Sequence, residues 1–429
     1  MTEENRIFAK CAWRLIPFMG LLYIVNFLDR VNVGFAALTM NKDIGLGDEA
    51  YGLGAGIFFL SYFLFEVPSN IILERVGARL WIFRIMLTWG IVSMAMAFAR
   101  GPASFYALRF LLGVAEAGFF PGMIFYLTLW FPNITRARYT ALFVAAIPLS
   151  NIIGSPLSGL ILGMGPHAGL HSWQWLFLIE GAPSVLLAFA VLLFLPDRPA
   201  KARWLSETEK GVIDEHLATE PPRDHHALLP MLRDPRVWIL AIPDFGIVLA
   251  FYGLGLWMPQ IIHSLGFSIG ETGFVTAVPY VVSILAMVAW ARSSDLRGDR
   301  VWHVAVAAVA GAVALVAAAF LGTNLWSVLA LTIAMACALA ALSVFWTLPS
   351  SFLGGRAAAG GIALINSFAN LGGFFGPAIM GWLKQKTHGY AIGLDVLALG
   401  LLVAAAMVLV LGRSLRFKAR AVDRFAPPA

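Results

Sequence analysis

Charge is scarce in this chain. Asp, Glu, Lys and Arg make up only 13% of its 429 residues, while 60% are hydrophobic. A water-soluble globule of this length needs far more polar residues to cover its surface, so that class is excluded. Cysteine is nearly absent. Cys11 and Cys337 fall in different halves, one at the edge of an apolar stretch and one inside another, which excludes a disulfide framework. Also missing are an HExxH helix, a Ser/His pairing within the apolar stretches and a Gly-rich phosphate loop after a strand, so the usual grounds for an enzyme are lacking. The opening residues 1–10 carry both signs of charge and lack a signal-peptide pattern, so no cleaved leader is expected.

What is present is a succession of apolar stretches of about 20 residues, each long enough to cross about 30 Å of hydrocarbon as a helix. Twelve are expected, from residues 15–37 to 392–411, and the lipid bilayer is the first partner they imply. The net charge of +6 raises nucleic acid as a partner, but its distribution argues for a membrane instead. With the N-terminus in the cytoplasm, segments on that side hold 24 of the 30 Lys and Arg residues. The other side holds Lys42, Arg100, Lys384 and Lys386, and Arg30 and Arg109 lie within spans. This positive-inside asymmetry predicts both termini in the cytoplasm.

The one long hydrophilic connection divides the chain into a six-helix bundle over 1–196, a linker over 197–235, a second bundle over 236–412 and a tail over 413–429. Within the linker a short helix is expected around residues 206–216, with Ser206 as cap and Glu209 three residues on. A faint repeat supports the two-bundle plan. Glu74, Gly77, Arg79 and Trp81 after span two recur as Asp295, Gly298, Arg300 and Trp302 after span eight, offset by 221 residues. The same offset matches Pro156 in span five to Pro377 in span eleven, both among glycines that permit close helix approach and bending.

Ionisable groups in hydrocarbon are costly and mark substrate or proton routes. Span one carries Asn26, Asp29 and Arg30. Span four carries Arg109 and Glu116, seven residues apart and so on one helical face. Their repeat mates in the second half are Ala250, Phe251, Ala330 and Cys337, so the ionic machinery belongs to the first half. The second half offers neutral polar and aromatic groups: Tyr252, Ser343, Trp346, Asn366 and Asn370 are candidate substrate contacts, joined by Asn26 from span one and Tyr62 from span two. Arg30 can take a carboxylate bidentately, and Asp29 and Glu116 are candidate proton carriers. Static pairs, Asp29 with Arg30 or Arg109 with Glu116, are the structural alternative. Glu66 and Glu180, toward span ends, read as structural. Asp244 reads equally as a packing pair or a second proton site.

Several of these segments resemble known signatures. The two loop copies, Leu108 to Gly113 in span four, and Gly154-Ser155-Pro156 in span five resemble signatures of the major facilitator superfamily. Within it, Asp29-Arg30-Val31-Asn32 with Gly34 and Ala36, then Glu116 to Gly122, Phe65 to Asn70 and Trp175 to Gly181, resemble the anion:cation symporter family. The tartrate-like and hydroxyphenylacetate-like branch is the most similar. The resemblance implies an all-α fold of twelve transmembrane helices in two pseudo-symmetric six-helix bundles. It implies import of an organic carboxylate anion with protons by alternating access in a bacterial inner membrane. It further implies protonation at Asp29 and Glu116 and substrate binding at Arg30. Arg109, Glu74, Arg75, Gly77, Arg79, Asp295, Gly298, Arg300 and Pro156 are expected to act in gating or structure. The expected partners are a small organic anion and protons. No nucleic acid, metal or cofactor beyond the proton gradient is expected, and the protein is expected to be a monomer. An anion exchanger, an exporter and a membrane carboxylate sensor are the alternatives.

Overall fold

Backbone amides in hydrocarbon find no water, so so apolar a chain must satisfy them within helices. The computed structural model, which describes residues 3–218, 234–352 and 357–425, is helical almost throughout. In the first half the helices are α1 (Glu3–Val31), α2 (Val33–Asp43), α3 (Asp48–Val76), α4 (Ala78–Ala95), α5 (Pro102–Glu116), α6 (Phe119–Thr128), α7 (Asn133–Val144), α8 (Ala146–Gly163) and α9 (Ser172–Phe194). A linker helix follows, α10 (Glu207–Ala218). The second half comprises α11 (Pro235–Ser264), α12 (Ile269–Arg297), α13 (Val301–Leu321), α14 (Trp326–Phe345), α15 (Thr347–Phe352), α16 (Ala357–Thr387) and α17 (Ala391–Phe425).

Eleven stretches among the described residues are long and apolar enough to span a membrane. The twelfth expected span, residues 358–382, lies in α16, a helix of 31 residues. Helix α17 continues to Phe425, through most of the stretch expected as a tail. Residues 219–233 of the expected linker and 426–429 of the tail lie outside the described residues.

Four expected spans are not continuous helices: the fifth is interrupted at Ala145 between α7 and α8, the tenth at Trp346 between α14 and α15, and the other two break beside buried charge. The first is split into α1 and α2 at Asn32, two residues after Arg30. The fourth is broken between α5 and α6, directly after Glu116, where Ala117 turns extended and Gly118 takes φ +89°. A side chain at Gly118 would be strained by that dihedral and would strike the Ser69 hydroxyl. Helix breaks beside buried charge free backbone groups to serve a site.

By Cα proximity the chain forms two compact units. One is Met1–Arg223 with Gly266–Ala277, and the other is Asp224–Leu265 with Val278–Ala429. In the first unit α3 and α5 approach closely because Gly113 faces the Phe58 carbonyl and the Ser61 hydroxyl, and Gly54 faces the Phe105 ring. Also in this unit, Gly159 of α8 lies on Gly273 near the start of α12, where a Cβ on Gly159 would fall 2.8 Å from the Gly273 Cα. In the second unit, α11 and α16 pack through Gly372 and Gly376 against backbone atoms of Phe245 and Leu249. There the Trp257 indole donates to the Pro377 carbonyl at 3.1 Å.

Helix α10 is docked on the first unit. Ser206 and Glu209 form the expected reciprocal cap, with Ser206 N donating to Glu209 at 2.8 Å and Glu209 N to Ser206 Oγ at 3.2 Å. Lys10 Nζ also donates to both Glu209 oxygens at 2.8 Å, and Trp204 stacks on Trp130 with Arg14 over its ring at 5.3 Å.

Candidate functional site

The side chains singled out in spans one and four meet inside the first unit, in a pairing different from either alternative that sequence spacing suggests. Arg30 pairs with Glu116. Its Nε donates to Glu116 Oε1 at 2.9 Å, and a terminal guanidinium nitrogen contacts the same oxygen. Both residues are buried, Arg30 at 5% exposure and Glu116 at 0%. Because both donors converge on Oε1, Oε2 is left without a hydrogen-bond partner. Asn26, one turn before Arg30 on α1, neighbours Glu116. Neither its amide nitrogen nor its amide oxygen makes a hydrogen bond within normal distance. A carboxylate oxygen and an unengaged amide are thus held together in the dry interior, where leaving them unsatisfied is costly.

Aromatic rings enclose the guanidinium. The Arg30 Cζ lies 5.6 Å from the Phe27 ring centroid, 5.3 Å from that of Phe58 and 5.2 Å from that of Tyr62. Such contacts stabilise a cation that burial strips of water. Phe58 also receives Arg109, whose Cζ is 4.9 Å from its centroid. Arg109 is fully buried and donates to the Gly54 and Ala55 carbonyls at 3.4 and 3.1 Å. One of its terminal nitrogens has no partner. No ion pair with Glu116 forms. The glycines that bring α5 onto α3 put those carbonyls within reach, so Arg109 ties the two helices together while its charge stays near the site.

Asp29, adjacent to Arg30 in sequence, points elsewhere. It accepts hydrogen bonds from Trp89 Nε1 at 2.7 Å, Ser93 Oγ at 2.7 Å and Ser184 Oγ at 2.6 Å. Neutral donors from α4 and α9 therefore serve a buried carboxyl in place of a cation. Trp89, Ser93 and Ser184 carried no signal in sequence, since Trp and Ser are ordinary residues in apolar helices. Phe27 and Phe58 were missed for the same reason.

The remaining candidates are dispersed. Tyr252 is buried in the second unit beside Phe251, with ring centroids 4.8 Å apart. Ser343 donates to the Ala340 carbonyl at 2.8 Å, and Trp346 stands edge-on to Phe345 at the break between α14 and α15. Asn366 and Asn370 are half-buried on α16. Asp244 on α11 is fully buried, and neither of its carboxyl oxygens has a hydrogen-bond partner.

The repeated loops make unlike contacts. In the first copy Gly77 takes φ +99°, and Arg79 donates from its backbone nitrogen to Asp197 at 3.0 Å and from its guanidinium to the Leu192 carbonyl. Asp197, at the foot of α9, was not foreseen as a partner. Glu74 and Arg75 are exposed. In the second copy Gly298 takes φ +63° and Arg300 closes on Asp295 at 2.6 Å within the loop itself. Pro156 is a half-buried residue inside α8.

Comparison with known proteins identifies the family and the fold. The family model described as Major Facilitator Superfamily matches residues 19–377. A protein of Agrobacterium vitis named as a candidate tartrate transporter is 52% identical over 415 residues, 96% of each chain. A quinolone resistance transporter of Acinetobacter baumannii is 45% identical over 407 residues, 94% of each chain. Among solved structures, that of a D-xylose-proton symporter superposes with a TM-score of 0.74 at 15% identity, covering 92% of this chain and 97% of the other, which speaks for the fold alone.

Proposed function

The chain belongs to the Major Facilitator Superfamily and is a membrane transporter rather than an enzyme, and from that premise we propose that it imports an organic carboxylate anion together with protons by alternating access. The carrying observation is the Arg30–Glu116 pair with its bare second oxygen. A substrate carboxylate seeking the Arg30 guanidinium competes with Glu116 for the same donors. Once displaced, Glu116 would be an unpaired buried charge, which costs several kcal/mol or about 3–5 kcal/mol when a buried pair loses one partner. Taking up a proton removes that cost. Anion and proton therefore favour each other's binding, and that mutual preference is the coupling symport requires.

The relative named for tartrate favours a small hydroxylated dicarboxylate as cargo, with a sugar acid or an aromatic acid as the alternatives, and the Lys and Arg asymmetry favours a bacterial inner membrane with both termini cytoplasmic. Tyr62, Phe27 and Phe58 around the guanidinium suit a flat or hydroxylated acid. Export is the second reading, favoured by the 45% identical relative named for quinolone resistance, since quinolones also carry a carboxylate. The test is calorimetric titration of the purified protein with tartrate, galactonate, phthalate and 4-hydroxyphenylacetate at two pH values. Tighter binding of one of them at the lower pH, with a proton taken up per anion, supports the reading. Binding without proton uptake contradicts it.

A further inference from the structure

A second pair of acids lies in the first unit, apart from Arg30 and Glu116. Glu180 on α9 is 2% exposed. Its Oε1 accepts from Ser158 Oγ at 2.7 Å, and its Oε2 has no hydrogen-bond partner. One turn further along the same helix face, Ser184 donates to Asp29 at 2.6 Å. Asn32, 1% exposed at the end of α1, neighbours Glu180 with both amide atoms unengaged. Four elements thus close around two carboxyl groups and two unsatisfied polar groups.

The charges facing this pair can be enumerated helix by helix. From α1 come Asp29 and the neutral Asn32. From α4 come Trp89 and Ser93 as donors to Asp29, with Met94 against Gly181. From α8 comes Ser158. The ionisable residues of α2 lie at its far end: Lys42 is exposed, and Asp43 accepts from Trp173 and approaches His171, seven and nine residues before Glu180. The Arg30 guanidinium is turned to Glu116. Among the described residues no cation faces Asp29 and Glu180.

Two ionised carboxylates in a dry interior without a cation carry a prohibitive desolvation and repulsion cost, so the pair retains a proton. Three close donors serve Asp29 and favour its charged form, whereas Glu180 has one close donor, Ser158, with the Asn32 amide beside it. We propose that Glu180 is a further proton-binding acid of this transporter, and that its protonation is coupled through the dry interior to that of Asp29. The proton enters from water. When Glu180 releases it, its O–H bond breaks and the proton returns to water, and the negative charge left on Glu180 strengthens the hold of Asp29 on a proton of its own. The proposal deepens the proton-coupled reading above by adding a residue that sequence analysis set aside as structural.

The test is pH-difference infrared spectroscopy of the full-length protein in lipid nanodiscs, without substrate. The wild type is expected to show a carboxylic-acid carbonyl band that titrates. Glu180→Gln removes one such band, and Asp29→Asn keeps the Glu180 band but displaces its midpoint by roughly tenfold in proton affinity, as coupled sites do. A Glu180→Gln spectrum identical to wild type overturns the proposal, and so does an Asp29→Asn midpoint that stays in place. Should Glu180→Gln not fold, Ser158→Ala keeps both acids and removes one donor. A displaced Glu180 band supports the proposal, and an unmoved one overturns it. Because neither substrate nor gradient enters, a protein that titrates as expected yet transports no carboxylate contradicts the symport reading and leaves the pair standing.

Discussion

At the scale of single residues, the account rests on substrate and Glu116 competing for the Arg30 guanidinium. Arg30→Ala is expected to weaken carboxylate binding at least 100-fold, about 2.7 kcal/mol. Arg30→Lys should recover part of it, because a lysine keeps the charge but not the paired donors. Unchanged affinity in calorimetric titration of the alanine variant removes Arg30 from the site. Glu116→Gln mimics the protonated acid, so exchange of substrate across the membrane is expected to persist while accumulation against a gradient is lost. Accumulation retained under a pH gradient contradicts the coupling role. Much of this was legible in the sequence: Asp29, Arg30, Arg109 and Glu116 stand out because charge is rare in hydrocarbon. The pairing was not. Neighbouring residues on a helix point about 100° apart, so Asp29 and Arg30 turn to different helices, and only packing decides which groups each meets. The donors Trp89, Ser93, Ser184 and Ser158 were invisible because their types are unremarkable in such spans.

At the scale of elements, the break after Glu116 is the feature to perturb. Gly118 combines φ +89° with a Ser69 hydroxyl where a Cβ would sit. Gly118→Ala is therefore expected to lower stability by about 1–3 kcal/mol, from strain alone, with a fall in melting temperature in detergent as the readout. An unaltered melting temperature would mean that the break relaxes without cost. Hydropathy alone read the fourth span as one helix, because Ala117 and Gly118 are as compatible with lipid as their neighbours. The linker helix was legible in more detail, since Ser206 and Glu209 state their own cap. Its docking was not, because Lys10 lies almost 200 residues away in sequence. The hydrogen bond from Lys10 holds the Glu209 carboxyl below the usual carboxylate range. A depressed value means that docking is favoured above the unperturbed carboxylate value near 4.3 and is lost as pH falls through the lower, folded value. The protection of amides in residues 207–218, measured against their intrinsic exchange rate at each pH, is expected to fall on acidification over that range in wild type. In Glu209→Gln the exchange should already be fast at neutral pH, and equal protection in both proteins would contradict the docking contact.

At the scale of the whole molecule, twelve hydrophobic stretches and a charge asymmetry were enough to anticipate the fold, because a bilayer permits few ways to satisfy a backbone. The faint loop repeat pointed to two halves, yet the copies are used differently: Arg79 reaches Asp197 across the first unit, while Arg300 closes on Asp295 within its own loop. Transport direction is a property of this scale too, since any one carboxyl can serve uptake or export and only the net coupling of anion to proton distinguishes them. The most direct measurement is therefore uptake of labelled tartrate, galactonate, phthalate and 4-hydroxyphenylacetate into proteoliposomes, with and without an inward proton gradient. The account expects one of these acids to accumulate only when the gradient is present, with alkalinisation of the outer medium. Exchange that ignores the gradient, or extrusion driven by it, would contradict proton-coupled import.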